Sequence, residues 1–176
     1  MRELRRLSRD NLGIAAIEFA LILPVLLLLY FGGVELTEGV TLNRQVALTA
    51  TTVATIVSQY TTLSASSQLP DILNAATQIL APYGGASPKV VISLVTIDSG
   101  GHATVTWSQS LNTPSRTQGA PITVPPDLDV ANTSLVLSEA SDAYAPIFDF
   151  LGLGPFNLSA VIYMVPREAT TINLTS

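Results

Sequence analysis

The stretch RDNLGIAAIEFALILPVLLLLYFGGVE, residues 9–35, decides how the rest of the chain is read. From Leu12 to Val34 it runs for 23 residues with one charge, Glu18. At ~1.5 Å per residue such a run makes a helix about 34 Å long, enough to cross a bilayer core of ~30 Å. A carboxylate inside a membrane span is costly, which makes Glu18 a functional residue by default. Gly13 lies five positions before it, and Phe19 follows it. Arg2, Arg5, Arg6 and Arg9 stand upstream, while Glu35 and Glu38 stand downstream. The positive-inside rule then sets the N-terminus in the cytoplasm and residues 35–176 outside. The apolar stretch exceeds the 7–15 residues usual in a secretory signal, and no small-x-small site follows it. The helix is therefore expected to stay with the mature protein.

The 142 residues after Val34 are the size of one domain. They hold four basic residues (Arg44, Lys89, Arg116, Arg167) and ten acidic ones. No basic stripe is available for a nucleic-acid backbone, so nucleic-acid binding is not expected. With no cysteine in the chain, disulfides, thiol catalysis and thiolate metal sites are excluded.

Pro24 sits inside the apolar run and would free the carbonyl of Ala20, kinking the helix locally. Leu42, Val46, Val53, Val57 and Tyr60 recur at spacings of three, four and seven, one face of an amphipathic helix. One long helix is expected from about residue 12 to about residue 61, its first half in lipid and its second half on a domain. Gly32, Gly33 and Gly39 are its weak points. A Ser-rich turn, Ser64–Ser67, precedes a short second helix that opens with Pro70 and Asp71 and ends at Pro82-Tyr83-Gly84-Gly85.

The period then changes. Lys89–Asp98 is apolar on both faces, as in a central strand. After a turn at Ser99–His102, Ala103, Val105 and Trp107 alternate with polar residues and complete a hairpin. Residues 111–127 hold four prolines and read as an exposed loop. Ser134–Tyr144 forms a third strand, Ala145–Leu153 a turn, and Phe156–Met164 a fourth strand ending at Pro166. Helices followed by strands with short connections argue for an α+β fold, helices covering one face of a four-stranded antiparallel sheet.

The N-terminal residues resemble the processing site of type IV-like prepilins: a basic leader, Gly at the cut, Glu at the fifth mature position, then an aromatic residue and an apolar helix. More closely, Gly13, Glu18-Phe19-Ala20, Pro24, Leu26–Leu29, Gly32 and Glu35 resemble the TadE/TadG-like minor pseudopilins of tight-adherence (Tad) pili. Tyr144-Ala145-Pro146 and Pro166-Arg167 fit the family more loosely. The resemblance implies a leader at 1–13, a transmembrane helix at 14–34 and an exported pilin-like domain at 35–176. It implies cleavage between Gly13 and Ile14 by a prepilin peptidase, anchorage in a bacterial inner membrane, and partnership with other pseudopilins and pilus assembly proteins. It also implies pairing of Glu18 with the α-amino group of Ile14 on a neighbouring helix. The rival reading is an uncleaved, membrane-anchored adhesion ectodomain whose 111–132 loop contacts a surface.

The remaining polar residues read plainly. His102 is a solvated turn residue. Asp127 and Asp129 are too few for a hard-cation site. Glu139 and Asp142 fall on opposite faces of one strand and form no acid–base couple. Three Asn-x-Ser/Thr triplets (Asn132, Asn157, Asn173) are chance matches in a Ser/Thr-rich chain. Trp107 and Tyr163 are expected in the helix–sheet core. No catalytic constellation, metal set or cofactor motif is present, so no enzyme and no cofactor are expected.

Overall fold

The computed structural model describes residues 11–80, 88–147 and 154–176. Helix α1 spans Asn11–Ser58 without a break, carrying Pro24 inside it. Four of its threonines bond back within the helix. Thr37, Thr41, Thr49 and Thr51 each donate a hydroxyl to the carbonyl four residues earlier, at 2.8–2.9 Å. The Thr37 bond lands on Gly33, in the glycine pair that the sequence marks as weak, and back-bonding of this kind tends to bend a helix.

A short strand β1 (Thr62–Ser64) leads to helix α2 (Gln68–Leu80), which buries Leu69, Leu73, Ala76 and Leu80. Strands β2 (Lys89–Ile97), β3 (Ala103–Leu111), β4 (Thr133–Tyr144) and β5 (Phe156–Met164) form one antiparallel sheet in the order β3-β2-β4-β5. The fold is α+β, as expected. The central place of β2 explains why both of its faces are apolar.

Helices α1 and α2 cover one face. Val53, Ala54 and Val57 of α1 and Leu69, Leu73 and Ala76 of α2 pack on Val90, Ile92, Leu94, Trp107 and Val136. Nearer the start of this half of α1, Leu42, Val46 and Ala50 meet Leu80 and Ala140, with Leu158 and Ala160 at the edge.

Four sequence expectations need correction. The Pro-rich loop is not free: Val124 is buried with Val95, Ile97, Ala103, Leu135 and Leu137 on the second face of the sheet, flanked by Ile122 and Leu128. An isolated antiparallel bridge, Thr104 to Pro121, fastens it to the edge strand β3. The loop conceals the apolar side of strands whose second face the sequence leaves without a partner.

Tyr163 belongs to this second cluster, not to the helix–sheet core. Ile162 and Met164 face the helices, so the intervening Tyr163 must face the loop.

Trp107 does enter the helix–sheet core, but it does not share a face with Ala103 and Val105. The register steps from Leu94↔Trp107 to Val95↔Val105, leaving Thr106 as an extra residue in β3. That bulge reverses the alternation, sending Trp107 to the helices and Ala103 to the loop.

A second, two-stranded sheet has no sign in the sequence: β1 ends where the Ser-rich turn begins, and a further strand β6 (Asn173–Thr175) pairs with it in parallel, Leu63 opposite Leu174. Ile172, just before β6, is buried in the main core, and its carbonyl accepts the Trp107 indole N–H at 2.8 Å. The Ala145–Leu153 turn falls partly, and the Pro82–Gly85 helix stop wholly, outside the described residues.

The exposed helix and its collar

Residues 13–34 of α1 leave the domain. Ile14 and Phe19 are each 60% exposed, and Leu21 72%. Glu18 lies exposed on the same stretch. A side chain at Gly13 would meet nothing within 4 Å, so the backbone there is open to approach from outside. Among the described residues α1 is the one helix long and apolar enough to cross a membrane, and its most apolar window has no buried residue. Near the end of the run that joins the domain, Tyr30 and Phe31 sit edge to face, ring centroids 5.4 Å apart. A tyrosine near the end of an apolar run suits a membrane interface. Arg2, Arg5, Arg6 and Arg9, the expected orientation signal, lie outside the described residues.

Where the helix meets the domain, Glu35 holds the end of β4. Its carboxylate accepts hydrogen bonds from the Tyr144 hydroxyl and, at 2.9 Å, from the Ile147 backbone N–H. The same hydroxyl approaches the Glu35 carbonyl at 3.1 Å. The Tyr144 ring reaches the helix at Gly39, where an added Cβ would lie 3.6 Å from it. Burial first, then the Glu35 carboxylate, with Glu38 nearby, raise the Tyr144 hydroxyl pKa above the ordinary tyrosine value. The sequence marks Glu35 and Tyr144-Ala145-Pro146 only as separate parts of a resemblance. The structure makes them one collar, bridging 109 residues of chain. Pro166-Arg167 also acquires a place: the Arg167 N–H donates to the Ser58 carbonyl at 2.8 Å, satisfying the end of α1.

The other polar residues form no second centre. Asp98 gathers the N–H groups of Gly100 and His102 at 2.7 and 2.9 Å, an Asx-type turn. Those backbone bonds hold its carboxyl below the usual range. His102 is exposed beside it. Glu139 makes a bidentate pair with Arg116 on the loop side of the sheet, at 2.8 and 2.9 Å. Asp142 is buried on the helix side, so the two carboxylates of β4 do lie on opposite faces. Asp127 lies within a single 3-10 turn and Asp129 caps its end, and among the described residues no cluster of three metal-ligand side chains occurs.

The fold and this helix define a class: an α+β domain on a single-pass, N-terminal apolar anchor. Residues 13–55 match the family described as TadE-like protein. That span takes in the exposed helix, the Glu35 end of the collar and most of the buried half of α1. Over that span the chain is similar to the TadE-like family; the rest of the domain lies outside the match. No curated protein and no solved structure matches the chain.

Proposed function

We propose that this protein is a minor pseudopilin, an accessory subunit in the assembly or initiation of a Tad-type adhesive pilus. In this reading residues 1–13 are a cytoplasmic leader and a prepilin peptidase cuts between Gly13 and Ile14. Residues 14–34 hold the protein in the inner membrane, and residues 35–176 lie outside. The observation that carries the reading is the coincidence of the TadE-like match with an unpartnered apolar helix bearing one carboxylate. A major Tad subunit is mostly one helix, whereas this chain carries a folded domain, which favours the accessory role.

Glu18 has a defined task in this scheme. Cleavage leaves Ile14 with a free α-amino group among apolar helices. A carboxylate on a neighbouring helix neutralises it. The two charges attract strongly in a medium of low dielectric, and either one left alone there is penalised.

Two measurements test the proposal. Mass spectrometry of protein extracted from membranes containing the peptidase is expected to give an N-terminus at Ile14. An intact 1–13 leader would overturn it. Glu18→Ala and Glu18→Gln are both expected to insert normally, since removing a charge makes the helix more apolar. Both are expected to lose co-purification with the other pilus proteins, because an unpaired buried amine costs about 3–5 kcal/mol. Normal co-purification and piliation of both variants would reduce Glu18 to a tolerated carboxylate.

A further inference from the structure

The collar brings exposed apolar side chains to the point where α1 leaves the domain. Ile147 is 72% exposed, and its backbone is tied to Glu35, one residue past the end of the apolar run. Phe156 is 45% exposed and lies directly across from Tyr144 in the β4–β5 register. Leu36 is 71% exposed, on the helix one residue past Glu35. Leu36 is more than a hundred residues from the other two in sequence, yet all three stand around one helix exit. Leaving large apolar groups together in water is unfavourable, and their position is set by the span itself.

We propose that this end of the domain rests on the outer surface of the same bilayer, with Ile147, Phe156 and Leu36 dipping into the headgroup–acyl boundary. The inference rests on reading residues 14–34 as a membrane span. Height is the argument for lipid as the occupant. Glu35 follows directly on Val34, so anything bonded to Glu35 stands at the interface when the apolar run fills the core. The Tyr144 hydroxyl bonded to Glu35 and the exposed Phe156 beside it give the pair an interfacial character, aromatic bodies with one polar tip. The contact is apolar rather than electrostatic. Among the described residues, Glu35 and Glu38 are the charges that act on the Tyr144 hydroxyl, and Lys89 stands opposite Ser141 further back in the sheet. Binding of this kind takes little from anionic lipid.

The orientation has a consequence for the rest of the domain. Strand β4 runs from Thr133 to Tyr144, so Thr133 and the adjacent Val130 stand about 36 Å further along the strand direction, away from lipid. The collar then holds the sheet upright on the membrane instead of leaving the domain free to swing on α1.

The chain has no cysteine, so single labels can be placed at will. Full-length Ile147→Cys, Phe156→Cys, Val130→Cys and Ile22→Cys would each carry one environment-sensitive fluorophore. All would be reconstituted in zwitterionic nanodiscs with and without nitroxide-labelled lipid. Unchanged emission from buried Trp107 would establish that each variant is folded. Labels at 147 and 156 are expected to shift to shorter wavelength and lose most of their emission to a shallow nitroxide. The label at 130 is expected to lose little, and the label at 22 to respond to a deep nitroxide. Anionic lipid should leave these results unchanged. Deep quenching at 22 with 147 and 156 no more quenched than 130 would overturn the proposal while the membrane span stands. No quenching at 22 would overturn both. Cross-linking from 147 to a second protein without lipid quenching would assign the patch to a subunit contact and overturn the lipid assignment.

Discussion

Residues 14–34 and residues 42–57 belong to one unbroken helix and draw on similar apolar side chains, yet they meet opposite surroundings. Val25 is 58% exposed, while Val46 and Val57 are fully buried. The first stretch is apolar around its whole circumference. The second is apolar along one stripe, with Thr, Asn, Gln and Arg on the rest. A stripe needs a sheet to lie on; a cylinder needs a solvent that is itself apolar. Periodicity, not hydrophobicity, therefore separates the two environments, and the change from cylinder to stripe falls at Glu35–Gly39, where the collar sits.

The sharpest way to break this comparison is a carboxylate in each half. Nature has placed one in the first half at Glu18. In the second half Val57→Asp is expected to remove about 3–5 kcal/mol, because it buries an unpaired charge against Leu73 and Trp107 in the main core. The readout is thermal unfolding of the full chain in detergent, with loss of the buried Trp107 signal. Membrane insertion of this variant should be normal. Leu21→Ser in the first half is the matched control, expected to move domain stability by no more than about 0.5 kcal/mol.

A smaller effect is expected at the boundary. Tyr144→Phe removes the hydroxyl bonds to Glu35 and should cost about 1 kcal/mol. It also changes the pH profile. The folded-state pKa of this hydroxyl is raised, so its contribution is complete below the ordinary value of 10.0. It is lost as pH rises beyond that value toward the raised one. The wild-type chain should therefore lose stability above pH 10.0 more steeply than Tyr144→Phe, measured by melting temperature against pH.

The smallest effect is expected furthest from the helix. Arg116→Ala should cost about 1 kcal/mol or less, since the Arg116–Glu139 pair is partly exposed. Faster proteolysis within 112–124 is the accompanying readout, and added salt should shrink the wild-type advantage. A loss comparable to Val57→Asp would show the loop to be as integral as the helix face.

The sequence disclosed what is long and periodic. The apolar run, the amphipathic stripe and the four sheet strands each repeat their signal over nine residues or more. The apolar stretch in the first half of α1 was legible for that reason; the roles given to Gly13 and Glu18 rest on a resemblance, not on a period. Three-residue strands offer no period, so β1 and β6 left no trace, and their parallel pairing joins residues over a hundred positions apart. The Pro-rich loop was misread because its few apolar residues, Ile122, Val124 and Leu128, follow no pattern and acquire meaning only against Leu135 and Leu137. One extra residue at Thr106 put Ala103 and Val105 on the opposite face from Trp107, which the alternation alone did not foretell. The collar was invisible for the same reason as β6: hydrogen bonds between distant residues have no sequence period.

The placement of Ile172 and β6 sets an order of events. Synthesis from the N-terminus delivers α1, α2 and the hairpin well before residue 172. Until then the Trp107 indole lacks its carbonyl partner, Leu63 lacks its covering strand and Ser58 awaits the N–H of Arg167. Closure of the core is thus reserved for the late-arriving segment, and a chain still in transit has none of these clasps to pull open.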